Sequence, residues 1–179
     1  MGDDPVTDGR AFGWWLFSAC LDGDAAAVSR LLPAGHYTPR DSSGPDFQWL
    51  SRKQTPLITA AGDGHTEIVR MLLERAPNTA VDYADAIGVT ALHLAAQYHH
   101  AEIVRLLARR GADVNLEAQN ISRETPLRCA VGEIQATSTA RRDPDPDGAR
   151  QLATVRVLLR LGAGTLPPLP PVPASRATI

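Results

Sequence analysis

The sequence predicts an all-α solenoid, in which about four helix-turn-helix repeats stack side by side. One observation is a threonine-led tripeptide that recurs every 35 residues, at Thr55, Thr90 and Thr125. A second is that residues 64–76, GHTEIVRMLLERA, align at the same offset with residues 99–111, HHAEIVRLLARRG. Self-similarity at a fixed period of about 20–50 residues is typical of stacked repeats, each of which buries its apolar face against its neighbours.

Residues 88–115 form the most regular copy and predict two short helices with a reversal between them. Thr90 can cap the first helix through its hydroxyl, and the apolar run 91–96 follows it. The pattern breaks at residues 98–100. Four apolar residues then recur at helical spacing and form one stripe: Ile103, Val104, Leu106 and Leu107. Gly111 follows, where a helix commonly ends in a left-handed residue.

This unit resembles the ankyrin repeat, which spans about 33 residues and carries a T-P-L-H-x-A signature. The best copy of the signature starts at Thr90 and places His93 in its histidine position. The resemblance implies a β-turn finger, an inner helix, a tight turn, an outer helix and a link to the next finger. It also implies that His93 ties adjacent fingers by hydrogen bonds and is not a catalytic or metal-binding residue. His65 and His100 open outer helices at equivalent positions, which family preference explains without a ligand role.

Two stretches of the chain are longer than the repeat requires. One precedes the second repeat, and the other separates the two helices of the last repeat, where Leu158 aligns with Leu107 at 51 residues instead of 35. The tail, TLPPLPPVPASRATI, cannot continue a helix and predicts polyproline II or disorder. The predicted organisation is a flexible N-terminus (1–11), a repeat domain (12–163) with repeats at about 12–35, 50–78, 85–115 and 120–163 and inserts at 36–49 and 133–148, and a Pro-rich tail (164–179).

The two ends of the repeat domain each leave two interpretations open. Trp14, Trp15 and Phe17 either close the end of the core or pack on something else. Capping is favoured, because an exposed aromatic patch is a liability. The tail has proline pairs at the spacing read by SH3-type grooves, but Arg176 lies one position farther than the usual basic residue, so a passive tail is preferred.

Composition narrows the classes of function. Hydrophobic residues make up 44% of the chain, enough for a sizeable core, and the net charge of −2 disfavours nucleic acid and anionic membranes as partners. The acidic N-terminus lacks signal-peptide features, and the longest apolar stretch, residues 12–21, is too short to span a bilayer. Two repeats lie between Cys20 and Cys129, too far apart for a disulfide, so buried reduced thiols are expected. We therefore expect a soluble intracellular protein, monomeric on its own.

Motifs for catalysis or cofactor binding are missing from the sequence, and no cofactor is expected. No Gly-rich phosphate loop follows a strand, and no serine or cysteine sits in a nucleophile motif. Residues 143–148, DPDPDG, match the opening of a calcium loop, but its twelfth position is Thr154 instead of a bidentate glutamate. A solvated acidic loop is the preferred interpretation. The alternative, a metal-responsive regulator or an accessory subunit of an enzyme, is tested by calorimetry with calcium.

The resemblance implies a concave surface of finger tips and inner-helix ends that is available to a protein partner. Tyr98, Arg52 and Arg123 are the expected energetic centres, because Tyr and Arg dominate interface hot spots. Arg123 and Lys53 also replace the finger glycine that Gly88 supplies in the best copy. The predicted function is a non-catalytic protein–protein interaction module. Its predicted contact residues are Arg52, Gln54, Asp63, Ala86, Ile87, Val89, Gln97, Tyr98, Ser122, Arg123 and Glu124.

Overall fold

The computed structural model describes residues 9–32, 54–75, 81–119, 123–131 and 148–164. The insert 36–49, the insert 133–148 except for Gly148, the tail from residue 165, and Arg52, Lys53 and Ser122 lie outside the described residues. Within the described ranges the chain forms these α-helices: α1 (Gly9–Asp22), α2 (Ala25–Leu31), α3 (Pro56–Gly62), α4 (Thr66–Arg75), α5 (Ala91–Gln97), α6 (Ala101–Arg109), α7 (Pro126–Val131) and α8 (Ala149–Arg160).

The helices form two layers, with the odd-numbered helices inside and the even-numbered helices outside. Each inner helix packs on the next inner helix, each outer helix packs on the next outer helix, and the two helices of each repeat pack on each other. The predicted all-α solenoid of four helix pairs is therefore confirmed. Helix α1 begins at Gly9, inside the segment 1–11 that the sequence predicts to be flexible, because Arg10 and Ala11 favour helix and no proline interrupts them.

Polar residues at the helix starts fix where the short helices begin. The Thr55 hydroxyl accepts a hydrogen bond from the Ile58 amide at 3.2 Å, and Pro56 follows at the first helical position, where its missing N–H costs nothing. In α2 the Asp24 carboxylate caps the Ala27 amide at 2.9 Å. Caps of this kind contribute about 1 kcal/mol each, which matters for helices of only seven residues.

The core runs as a continuous layer through all four repeats. Leu72, Leu107 and Leu158 have no exposed surface and lie on successive outer helices, α4, α6 and α8. Burying one leucine side chain stabilises the fold by about 1.5–3 kcal/mol. Because no single helix pair can enclose its own apolar face, this burial depends on the neighbouring repeat.

A glycine in one repeat and a histidine in the next fit against each other at the reversals. A Cβ added to Gly23 would lie 2.6 Å from Cε1 of His65, and a Cβ added to Gly64 would lie 2.6 Å from Cε1 of His100. The His100 Nε2–H also donates to the Gly62 carbonyl at 3.1 Å. Burial lowers the pKa of His100, which keeps the ring neutral for this contact. These histidines are therefore structural contacts between repeats, as the family preference implies.

Thr154 is a polar residue in a core position of the last outer helix. It occupies the position that Ile68 and Ile103 fill in earlier repeats and has no exposed surface, and its hydroxyl has no hydrogen-bond partner among the described residues.

We expect Thr154→Val to raise the free energy of unfolding by about 1 kcal/mol, because it removes an unsatisfied hydroxyl without changing the volume. Urea denaturation measures the change. Thr55→Val is the matched control and should lower stability by about 1 kcal/mol, because that hydroxyl caps α3. Destabilisation by Thr154→Val would contradict the assignment.

Candidate protein-binding surface

The finger between α4 and α5 is a tight antiparallel turn held by the Asp85 side chain. Ala84 and Thr90 form an isolated antiparallel bridge, and the Asp85 amide donates to the Val89 carbonyl at 2.9 Å. The buried Asp85 carboxylate accepts from the Ile87 amide at 3.0 Å and from the Val89 amide at 2.9 Å. The polar groups of the turn are thus paired within the turn itself, which fixes its backbone.

The tip of this finger is apolar and faces solvent. Ile87 keeps 40% of its surface exposed, Ala86 is exposed, and Val89 is half-buried. Scattered exposed apolar residues are ordinary, but here the side chain stands on a backbone that its own turn has already ordered. The finger therefore presents Ala86 and Ile87 in a fixed position.

His93 joins this finger to the next one. The Thr90 amide donates to Nδ1 of His93 at 3.3 Å, and the Thr90 hydroxyl lies 2.8 Å from the same nitrogen. Nε2 lies 2.9 Å from the Glu124 carbonyl, which only accepts, so Nε2 carries the proton. The Ala118 amide donates to that same carbonyl at 2.9 Å and closes the second finger. The tie that the resemblance implies for His93 is confirmed.

The buried environment keeps His93 neutral. Burial lowers the pKa of His93, while the bond to the Glu124 carbonyl and the carboxylates of Asp85 and Asp82 oppose that shift. A neutral ring can accept at Nδ1 and donate at Nε2, whereas the protonated ring would direct an N–H at the Thr90 amide. His93 therefore orders two fingers through contacts at both of its ring nitrogens.

The end of the inner helix α5 places Gln97 and Tyr98 half-buried beside the preceding repeat. A Cβ added to Gly62 would lie 3.8 Å from Cε2 of Tyr98 and 3.2 Å from Cδ1 of Leu94, so both side chains lie over the bare glycine. The rings of Tyr98 and His100 are tilted at 43° with centroids 6.5 Å apart. These contacts hold the Tyr98 ring at the end of its helix.

The second finger exposes Arg123 in a left-handed backbone conformation. Its φ is +43°, and the φ of Gly88 at the equivalent position is +78°, so both residues are left-handed. This position of the finger therefore requires positive φ whichever residue fills it. A Cβ on Gly88 would lie 2.2 Å from the Gln119 amide nitrogen in the next finger. No finger follows that of Arg123 in the described part of the chain, so the Arg123 side chain has room. It is 81% exposed and lies 4.0 Å from the Glu117 carboxylate, a weak pair.

The predicted contact residues fall into three groups. Ala86, Ile87 and Val89 belong to one finger, to which His93 ties the finger of Arg123 and Glu124. Tyr98 and Gln97 end α5, next to the exposed Asp63, which ends the neighbouring helix α3. Gln54 is half-buried just before α3, while Arg52 and Ser122 lie outside the described residues. Their role in binding stays a prediction.

Two exposed residues on the inner layer were missed by the sequence interpretation. Leu21 exposes 52% of its surface and aligns with Gly62 and Gln97 when Gly23 is placed over Gly64, so the repeat alignment could have found it. Arg128 is exposed at the position that His93 fills in the preceding repeat. Because no later finger follows in the described residues, nothing there requires a tying histidine.

The described residues contain no cluster of metal-binding side chains, and both of their thiols are buried. No group of three or more His, Cys, Asp or Glu side chains that could hold a metal ion occurs among them, and residues 143–147 of the acidic loop lie outside them. Burial raises the pKa of Cys20 to about 12, and burial together with the nearby Glu124 charge raises that of Cys129 to about 12. Both thiols are free and buried, as predicted. In the same ranges, no helix is long and apolar enough to cross a membrane.

Paired helices stacked in two layers, with hydrogen-bonded fingers between them, define a helical repeat solenoid. The family model for ankyrin repeats in three copies matches residues 16–118 and 88–136, which together cover more than half of the chain. The chain therefore belongs to the ankyrin-repeat family. Ankyrin repeats generally mediate protein–protein interactions.

The chain is similar to parts of much longer proteins. It is 34% identical over 124 residues to ankyrin repeat and SAM domain-containing protein 6 of Mus musculus, covering 69% of this chain and 13% of that protein. It is 37% identical over 105 residues to probable E3 ubiquitin-protein ligase XBOS32 of Oryza sativa subsp. japonica, covering 59% and 20%. It is 34% identical over 119 residues to SMC5-SMC6 complex localization factor protein 1 of Homo sapiens, covering 65% and 10%. The chain thus spans about a tenth to a fifth of the length of these relatives.

Proposed function

We propose that this chain is a non-catalytic protein-binding module whose partner contacts the concave surface of finger tips and inner-helix ends. The observation that carries the proposal is the finger of residues 84–90, where Asp85 fixes the backbone and Ile87 stays exposed at the tip. A surface that is ordered before association loses little conformational entropy on binding. A partner therefore gains most of the contact energy that the tip can offer.

The mixture of side chains on this surface favours a protein as the partner. Ile87 supplies an apolar centre, Tyr98 an amphipathic ring, and Arg123 a planar donor group on the adjoining finger. Tyr and Arg are the residues that most often dominate the binding energy of protein interfaces. The acidic Asp63 and Glu124 lie among them, so the surface has no single charge sign that would select a polyanion.

The buried thiols and the names of the relatives support a binding role inside the cell. The two thiols are buried and unbridged, which favours a reducing compartment. The names of the relatives include a complex localization factor and an E3 ligase, and the matched part of each is a small share of its length. We therefore assign no catalytic step to this chain, and propose that it acts by holding another protein.

Substitutions on the concave surface test the proposal. A partner is isolated by affinity capture and cross-linking on the full chain, and its Kd is measured calorimetrically against each variant. We expect Tyr98→Ala to raise Kd about 30-fold and Arg123→Ala about 10-fold, the range for interface hot spots of about 1.4–2 kcal/mol. Alanine is chosen at position 123 because it keeps the left-handed strain of a non-glycine residue.

Arg105→Ala is the matched control for the arginine. Arg105 lies on the outer helix α6 and pairs with Glu102 at 3.2 Å, so its removal should change Kd less than twofold. Circular dichroism verifies that each variant stays folded. An unchanged Kd in a folded chain that carries both Tyr98→Ala and Arg123→Ala would overturn the proposed surface. Substrate turnover by the purified chain alone would overturn the non-catalytic assignment.

A further inference from the structure

The last repeat leaves an apolar surface open on its outer side. Val131 of α7 and Leu152 and Leu159 of α8 expose 61%, 51% and 55% of their surfaces, and we call these three residues the terminal face. A terminal repeat is normally polar on the side that has no neighbour, because an exposed apolar face promotes aggregation. The terminal face departs from that rule.

Alignment of the repeats shows that the terminal face is the side where a following repeat would pack. Val131 aligns with Ala61 and Ala96, which have no exposed surface because the next inner helix covers them. Leu159 aligns with Leu73, which is 4% exposed beneath the next outer helix. Val131 thus stands where the two preceding repeats have alanine, and Leu159 stands where they have Leu73 and the half-buried Ala108, yet both side chains stay more than half exposed.

The chain after α8 is held at the same place as the link between inner repeats. The Asn115 side chain accepts from the Gly164 amide at 2.9 Å and donates to the Gly162 carbonyl at 3.3 Å. One repeat earlier, the Asp113 amide is held in the same way by the Asp82 carboxylate at 3.2 Å. A Cβ on Gly164 would lie 3.3 Å from Cδ2 of Leu127, so the link ends against α7. The described chain therefore ends against α7, the helix that carries Val131 of the terminal face.

The tail sequence has an apolar stripe with a period of three. Leu166, Leu169 and Val172 are separated by prolines, and a polyproline II helix has three residues per turn, so the three side chains share one face of such a helix. One turn of a polyproline II helix rises about 9.3 Å. This is close to the roughly 10.5 Å along the axis of α8 that separates Leu152 from Leu159. Prolines also lack N–H groups, so burying this segment leaves few unpaired donors.

The other stretch of chain that leaves α7 has the wrong chemistry for this surface. Residues 132–147 contain one large apolar side chain, Ile134, and end in the run RRDPDPD. Burying those charges against leucine and valine would cost free energy that no partner group offsets. The apolar stripe of the tail is the better match.

We infer that the Pro-rich tail folds back on the terminal face, with Leu166, Leu169 and Val172 packed against Val131, Leu152 and Leu159 in place of a fifth repeat. The tail then acts as the cap of the solenoid. This contact lies at the end of the stack, apart from the concave surface, so it leaves that surface free for a partner.

The test uses the full chain and a variant of identical composition. Exchanging two neighbours, Leu169→Pro with Pro170→Leu, breaks the period of three without changing the number of apolar residues. We expect this variant, and a triple variant Leu166→Ser, Leu169→Ser and Val172→Ser, to lower the urea midpoint. We also expect both to raise the fluorescence of bound anilinonaphthalene sulfonate at least twofold. Amide hydrogen exchange in α7 and α8 should accelerate about tenfold in both.

A double-mutant cycle identifies the contact itself. Leu159→Ser alone should lower the urea midpoint as the tail variants do, and Leu159→Ser combined with Leu169→Ser should lower it little further, because both remove one contact. Unchanged midpoints and dye fluorescence in both tail variants would overturn the inference. So would a concentration-dependent dimer that Leu159→Ser dissociates, since a second copy would then cover the face. Effects confined to Ile134→Ser would overturn it in favour of the insert.

Discussion

Replacing Gly88 by alanine is expected to lower the free energy of unfolding by about 3 kcal/mol. Two costs add in this variant. Gly88 has a φ of +78°, which costs an L-residue about 1 kcal/mol or more, and its new Cβ would lie 2.2 Å from the Gln119 amide nitrogen, 2.5 Å from the Gln119 Cβ and 2.7 Å from the Gln119 Cα. Since backbone and not a flexible side chain blocks the methyl group, two adjacent fingers must separate. Urea denaturation measures the loss.

Gly111→Ala is the matched control for this experiment. Gly111 has a similar φ of +88°, but a Cβ added there would have no obstructing atom within 4 Å. The control should therefore lose only the conformational cost, about 1 kcal/mol. Equal losses in the two variants would show that the fingers do not press on each other at Gly88.

The positions of the repeats could be predicted from the sequence, because each repeat of a stack places equivalent residues in the same surroundings at a fixed interval. Thr55 and Thr90 recur where an inner helix needs a cap or a capping partner, and Leu107 and Leu158 recur where an outer helix faces the core. Each of these requirements is local or concerns the nearest repeat, so one regular copy was enough to find the others. The role of His93 came with the resemblance, since only a known finger geometry says what its ring reaches.

Other features were not predictable, because they depend on which neighbour is present or absent. A non-glycine residue at positive φ is normally avoided, yet His99 with φ of +62° fills the position of Gly64, and Arg123 fills that of Gly88. Arg123 is tolerated since no further finger presses on it among the described residues. The open terminal face likewise depends on which neighbours the described residues include, and not on any single residue of α8. The contact roles of the concave residues depend on a partner, so for these the sequence gives positions but no energies.

Replacing His93 by glutamine is expected to lower the free energy of unfolding at pH 7 by about 2–3 kcal/mol and to flatten its dependence on pH. The ring has 1% of its surface exposed and bonds to both Thr90 and the Glu124 carbonyl. A glutamine amide can replace at most part of that pair and leaves a cavity beside α7. The first part of the prediction is measured by urea denaturation of the two chains at pH 7.

The pH dependence follows from the lowered pKa of His93, whose main cause is burial. In the unfolded chain the imidazole takes up a proton near pH 6.5, while the folded chain resists protonation to a lower pH. The unfolded state therefore binds more protons in that window, and stability falls as the pH falls below about 6.5, by up to about 1.4 kcal/mol per pH unit for each such histidine. His100, whose pKa burial also lowers, contributes in the same direction.

Unfolding curves between pH 7.5 and 5 separate this titration from a simple loss of stability. The curve of the His93→Gln chain should be flatter than that of the parent, so that the two approach each other as the pH falls, with the remaining slope due in part to His100. Leu107→Ala is the control: removing this fully buried side chain costs about 2–5 kcal/mol but keeps both histidines, so its curve should run parallel to the parent. A His93→Gln curve that also runs parallel to the parent would mean that His93 is not held neutral between the fingers, because a histidine with the same pKa in both states adds no pH dependence to folding.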